Sequence, residues 1–117
     1  TSLDRGDLDD LGFACDVKDL VISRAKRAFE AGCDGIVSSG LEVPFIREYV
    51  DRKLICVTPG IRPVTNDDDQ KRVVDVATAF KSGSDYIVVG RPIKNAVNRY
   101  EAASNIQKII KKTFESV

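Results

Sequence analysis

The chain has 117 residues, 43% of them hydrophobic and 31% charged, which fits about one globular domain and excludes a fibrous or disordered polymer. Eighteen lysines and arginines balance eighteen aspartates and glutamates, so there is no net field to hold nucleic acid or an anionic membrane, and any anion site must be local. Histidine is absent, which removes the usual general base, the Cys–His nucleophile and the commonest metal ligand together; no metal constellation can be assembled from what remains.

In chain order, the opening "TSLDRGDLDD" is acidic and polar, unlike a secretory leader. It reads as the end of a truncated strand, with Asp4 and Arg5 able to form an ion pair. Asp16 is placed to cap a helix over residues 17–31, with Val21, Ala25, Ala28 and Phe29 on one face and Gly32 as its stop. "GIVS" at 35–38 is a short apolar strand, followed by a helix over 41–50 that carries Pro44 in its first turn. "LICV" at 54–57 is the next strand. A long connection leads to a helix over 76–81, ended by Ser82 and Gly83. "YIVV" at 86–89 is the last strand, and a helix over 99–114 carries the stripe Ala102, Ala103, Ile106, Ile109 and Ile110. No apolar run approaches the roughly 20 residues of a membrane span. Cys15, Cys33 and Cys56 are widely spaced, form no CxxC pair and suit the reduced, mostly buried thiols of a cytoplasmic protein.

The strands are unbroken apolar runs, the pattern of strands buried on both faces. Strict alternation with helices implies a parallel sheet with right-handed crossovers and helices outside. "AGCDGIVSSG" and "SGSDYIVVGR" repeat one device: a glycine helix stop, an aspartate, an apolar strand and a glycine at its carboxyl end. Such repetition fits part of a closed βα barrel, with a flavodoxin-like open sheet as the competing architecture; both place ligands at the carboxyl ends of strands.

The unusual residues lie at those ends. Residues 58–70 separate strand from helix, more than a βα connection needs and typical of a binding loop or lid. Pro59-Gly60 makes a turn that lets backbone approach a ligand, while Arg62 offers a cation and Gln70 an amide. The alternative is a solvated loop kept soluble by "DDD". After "YIVV" comes Gly90-Arg91-Pro92. Bare amides at the glycine, the positive end of a helical turn beginning near Ile93 and the planar fork of Arg91 together suit a phosphate. A structural arginine bridged to a carboxylate is the competing reading. Ser38 and Ser39 could touch a ligand or serve helix entry. Lys108, Lys111 and Lys112 belong to a solvated helix face.

"VTPGIRP", then Gln70 in "DDQKRVV", then "GSDYIVVGRPI" together resemble the carboxyl-terminal half of the bacterial orotidine 5'-phosphate decarboxylase family. "TSLDRGDLDDLG" is similar to that family's segment after its fifth strand, and "AGCDGIVSSGLE" to its sixth-strand region. The resemblance covers essentially the whole chain. It implies a TIM (β/α)8 barrel in which residues 1–117 supply about the last half, strands 5/6 to 8, of a single domain. It also implies ligand contacts at Thr1 beside the pyrimidine, at Arg62 and Gln70 in the closing loop, and at Gly90 and Arg91 around the phosphate. Gln70 would reach from the loop to both phosphate and base. The family converts orotidine 5'-monophosphate to UMP and carbon dioxide in pyrimidine synthesis, as a cytoplasmic homodimer without a cofactor.

One departure qualifies this. The family's alternating lysine and aspartate array, with its "DxKxxD" signature, belongs to the amino-terminal half and does not occur here; "DVKDL" at 16–20 has the wrong spacing, so Lys18 is not assigned a catalytic role. No catalytic residue is expected in this chain, which should be inactive without an amino-terminal half. The competing classes are half of another phosphate-binding βα-barrel enzyme, such as a ribulose-phosphate-type lyase or epimerase relative, and a non-enzymatic flavodoxin-like phosphate-binding module.

Overall fold

The alternation of short apolar runs and amphipathic stretches folds as helices packed against a parallel sheet. The computed structural model of the chain describes residues 4–12, 15–62 and 74–115, with the side chains of Arg5, Leu8 and Asp9 outside that description. The elements are α1 (Arg5–Asp10), α2 (Val17–Glu30), β1 (Gly35–Val37), α3 (Val43–Tyr49), β2 (Ile55–Thr58), α4 (Val76–Lys81), β3 (Tyr86–Ile87), α5 (Arg91–Lys94) and α6 (Arg99–Glu115). The strands pair in the order β1-β2-β3, all parallel. The proposed truncated first strand falls on residues 1–3, outside the described residues.

Register fixes the two faces of the sheet. Gly35 pairs with Ile55, Ile36 with Cys56, Val37 with Val57, Val57 with Tyr86 and Thr58 with Ile87. Because strand side chains alternate, Ile36, Cys56 and Ile87 point toward the helices, whereas Gly35, Val37, Ile55, Val57 and Tyr86 share the opposite face. The helix side holds two cores. Ala25, Val43, Ile46, Leu54 and Cys56 form one between α2, α3 and the sheet. Ile61, Val76, Ala79 and Ile106 form the other, joined by Phe80, Ile87, Val89, Ile93 and Ile110. The Phe80 and Phe114 rings meet edge to face at 5.3 Å.

The sequence reading is corrected on the other face. The strands were expected to be buried on both sides, yet Val37 is 72% exposed, Tyr86 62% and Val88 51%. An apolar run reports only that both faces are meant to be dry; it does not say that one chain covers both. Gly35 marks where the sheet is tightest, since a Cβ there would lie 2.7 Å from the Ile55 carbonyl oxygen and 2.8 Å from its Cβ.

Several ends differ from the sequence reading. The helix α1 was not anticipated. Asp4 and Asp7 form it by exchange, the Asp7 amide donating to Asp4 Oδ1 at 3.0 Å and the Asp4 amide to Asp7 Oδ2 at 2.9 Å. This is a capping box made of aspartates, and it gives part of the acidic amino-terminal cluster a structural use. Asp16 occupies the N-cap position of α2, but its side chain makes no capping hydrogen bond. The third helix begins at Val43, not Leu41, because residues 40–42 form a turn in which the Leu41 amide donates to Ser39 Oγ at 3.2 Å. The stop at Gly83 is as expected, with φ +107, a conformation open to glycine.

Opposite the strands' carboxyl ends, Arg47 of α3 ties the sheet together. Its guanidinium donates to the Leu54 carbonyl, to the Gly83 carbonyl at 2.8 Å and to Asp85 Oδ2 at 2.7 Å. Asp85 Oδ2 also accepts from the Cys56 amide at 2.9 Å. One side chain thus joins the start of β2 to the turn that enters β3. Burial raises the Cys56 thiol pKa, opposed by the Arg47 charge and reinforced by Asp85.

Candidate phosphate site at the strand ends

Three connections leave the carboxyl ends of the strands. After β1, the Ser38 amide donates to the Val57 carbonyl at 3.0 Å, extending the ladder, and Ser38 Oγ donates to the Ser39 carbonyl at 3.0 Å. Both serines are buried and their described hydrogen bonds shape the entry to α3. The N-cap itself is Glu42, whose carboxylate makes no capping hydrogen bond.

After β2, Thr58 Oγ1 and Ser84 Oγ lie 2.6 Å apart in a buried pair, and Gly60 turns the chain with φ +72. Ile61 then bridges to Val74 in parallel, and the Arg62 amide donates to the Val74 carbonyl at 3.1 Å. The two roots of the long connection are therefore hydrogen-bonded together. Arg62 is only 5% exposed, with Nη1 donating to the Ile61 carbonyl at 2.8 Å. A guanidinium this deeply buried does not behave as the charge of a solvated loop.

After β3, the Val88 amide still donates to the Thr58 carbonyl at 2.9 Å. Gly90 follows with φ −102 and ψ −90, exposed, and a Cβ there would meet nothing within 4 Å. Its carbonyl accepts from the Ile93 amide at 3.1 Å and the Lys94 amide at 2.9 Å, whereas its own amide donates to no partner among the described residues. The helical turn α5 begins at Arg91, earlier than the expected Ile93, because proline is favoured in a first turn where its missing N–H costs nothing. Arg91 itself lies exposed at the rim.

Arg62, Gly90 and Arg91 thus occupy the same end of the sheet, beyond the neighbouring strands β2 and β3. Thr1 and Gln70 lie outside the described residues. Sequence reasoning missed Glu42, which is 5% exposed at this rim, and Arg47 at the opposite one. A single charge within a short amphipathic helix resembles its solvated neighbours, and only burial separates them. Away from the strand ends, a groove of about 350 Å³ runs beside the open edge of β1, lined by Val21, Arg24, Ala25, Ala28, Ile36 and Val37.

The sequence profile of the family described as "Orotidine 5'-phosphate decarboxylase / HUMPS family" matches residues 1–106. The chain belongs to that family. It is 61% identical over 116 residues to an orotidine 5'-phosphate decarboxylase of Methylococcus capsulatus, covering 97% of this chain and 48% of the relative. To a like-named protein of Nitrobacter winogradskyi it is 48% identical over 107 residues, covering 91% and 45%. The solved orotidine 5'-phosphate decarboxylase of Lactobacillus acidophilus superposes with a TM-score of 0.71 at 34% identity, over 86% of this chain and 40% of that one. The chain spans about half the length of the curated relatives it matches. Its parallel sheet and helices are part of the (β/α)8 barrel of this family, and the flavodoxin-like alternative is not favoured. Among the described residues no helix is long and apolar enough to cross a membrane.

Proposed function

We propose that this chain is the phosphate-gripping half of an orotidine 5'-phosphate decarboxylase, which converts orotidine 5'-monophosphate to UMP and carbon dioxide. The observation that carries the reading is the strand end at Gly90: an exposed glycine with open space beyond its Cα and an amide uncommitted among the described residues, directly followed by Arg91. Only a residue without a side chain lets a phosphate approach so close to backbone donors. Arg91 supplies the planar fork that pairs with phosphate oxygens, and Arg62 a second cation from the neighbouring strand end. Thr1 beside the pyrimidine and Gln70 bridging phosphate and base complete the proposed contacts.

Loss of carbon dioxide leaves a carbanion that the pyrimidine ring cannot delocalise well, so a positioned lysine must stabilise that charge and then donate a proton. This chain has no "DxKxxD" array to do so. Its contribution is remote binding energy: interactions with the non-reacting phosphate close the site and order the catalytic groups supplied elsewhere. The implied partner is an amino-terminal half that covers the exposed face carrying Val37, Ile55 and Tyr86 and pairs with the open edge of β1. The complete barrels would form homodimers in the cytoplasm.

The test joins this chain to the amino-terminal half of the Methylococcus capsulatus relative and measures release of carbon dioxide from orotidine 5'-monophosphate. The fusion should be active and the isolated chain inactive. Arg91→Ala in the fusion should lower kcat/KM on the order of 100-fold or more, with part of the loss restored by added guanidinium. An inactive but folded fusion, or an Arg91→Ala effect below about threefold, would refute the assignment.

A further inference from the structure

We infer that Glu42 is a positioning residue that acts through Arg62 on the phosphate side of the site. The inference rests on the proposed function above and adds to it a residue that neither family resemblance nor motif singled out. Among the described residues two charged side chains are buried, Glu42 and Arg62, each 5% exposed. They carry opposite signs and follow the carboxyl ends of adjacent strands, β1 and β2.

The backbone holds these two segments together. The Ser38 amide donates to the Val57 carbonyl at 3.0 Å, and the Arg62 amide to the Val74 carbonyl at 3.1 Å. Gly40, two residues before Glu42, lies so close to Val74 that a Cβ would come within 2.7 Å of its Cγ2 and 3.5 Å of Thr58 Cγ2. Val74 therefore touches the turn that ends in Glu42 while it accepts the hydrogen bond from Arg62.

The ordinary use of an acid at a helix entrance does not explain Glu42. It stands at the N-cap of α3 in an αR conformation, with φ −96 and ψ −14, and its side chain makes no capping hydrogen bond. Burying a carboxylate is costly unless cationic or polar groups compensate it, and the same holds for a guanidinium. The Glu42 charge restrains the Arg62 guanidinium at the rim before substrate arrives. Less side-chain freedom is then lost when the phosphate binds.

The experiment compares orotidine 5'-monophosphate with orotidine, the same nucleoside without its phosphate, in the active fusion carrying Glu42→Gln, Arg62→Ala or both. Glu42→Gln should reduce kcat/KM for the phosphorylated substrate about tenfold while changing that for orotidine less than about twofold. The double variant should be no worse than Arg62→Ala within about twofold, the signature of two residues acting through one interaction. Equal losses on both substrates would mean that Glu42 only supports the fold, and multiplicative losses in the double variant would mean that it acts independently; either result overturns the inference. If Arg62→Ala discriminates against the phosphorylated substrate and Glu42→Gln does not, Glu42 alone has been misassigned. If Arg62→Ala shows no such discrimination, the phosphate role of Arg62 falls, and this inference with it.

Discussion

Replacing Arg47 by methionine keeps the aliphatic stem of the side chain and removes its donors, which isolates what the clamp contributes. The Leu54 and Gly83 carbonyls each lose a charged donor, about 1.5 kcal/mol apiece. The ion pair with Asp85 adds less, about 0.5 kcal/mol, because the Asp85 side chain is 44% exposed and water screens it. The sum is about 3 to 4 kcal/mol of lost stability. Asp85→Asn is the contrasting change. The asparagine oxygen can still accept from the Cys56 amide and Arg47 keeps both carbonyls, so the cost should be near 0.5 to 1 kcal/mol. Urea unfolding of the fusion, followed by circular dichroism, reads both. Arg47→Met should lower the midpoint several times more than Asp85→Asn. Equal shifts would place the energy in the ion pair and refute the assignment of the clamp to its carbonyl contacts.

Gly35→Ala should destabilise the sheet by about 1 to 3 kcal/mol in the same assay, because the new Cβ meets the Ile55 backbone, which cannot swing aside. Gly90→Ala should leave stability within about 0.5 kcal/mol, since open space surrounds that position, yet raise KM for the phosphorylated substrate; unchanged KM would argue against close phosphate approach. Asp75 accepts the Thr78 amide at 2.7 Å, and chiefly that backbone hydrogen bond lowers its pKa below 3.8. Its stabilisation is therefore present above pH 3.8 and lost as pH falls through the lower folded value, and Asp75→Ala, which should cost about 1 kcal/mol at neutral pH, should cost nothing below that range. Cys56 has the opposite sign. Its folded pKa is raised above 9.0, mainly by burial, so its contribution is complete below pH 9 and declines as pH rises through the folded value. Thiol labelling at pH 8 should modify exposed Cys33 quickly and buried Cys56 only on unfolding.

The alternation of strands and helices was legible because turn residues separate unbroken apolar runs from mixed ones, and the helix over Val76–Lys81 has the anticipated bounds. The errors have local causes. The segment RGDLDD has a single apolar side chain and so no stripe, which leaves the Asp4 and Asp7 pairing as the signal of α1. Pro92 after a strand reads as a terminator, although the same ring favours a helical first turn, which moved the start of α5 to Arg91. At the strand ends, the position of Gly90, Arg91 and Arg62 beyond the sheet follows from the order of the elements alone, and their contact with a phosphate is the proposal made above. Glu42 and Arg47 could not be singled out in this way, because their distinction lies in what surrounds them.

Five residues separate the Leu54 carbonyl gripped by Arg47 from the Gly60 turn that leads to Arg62. The Arg47 hydrogen bonds thus lie at one rim of the sheet and the proposed phosphate contacts at the other. Substitutions at the Arg47 rim should therefore change stability more than the proposed phosphate contacts, a separation that a protein engineer can exploit.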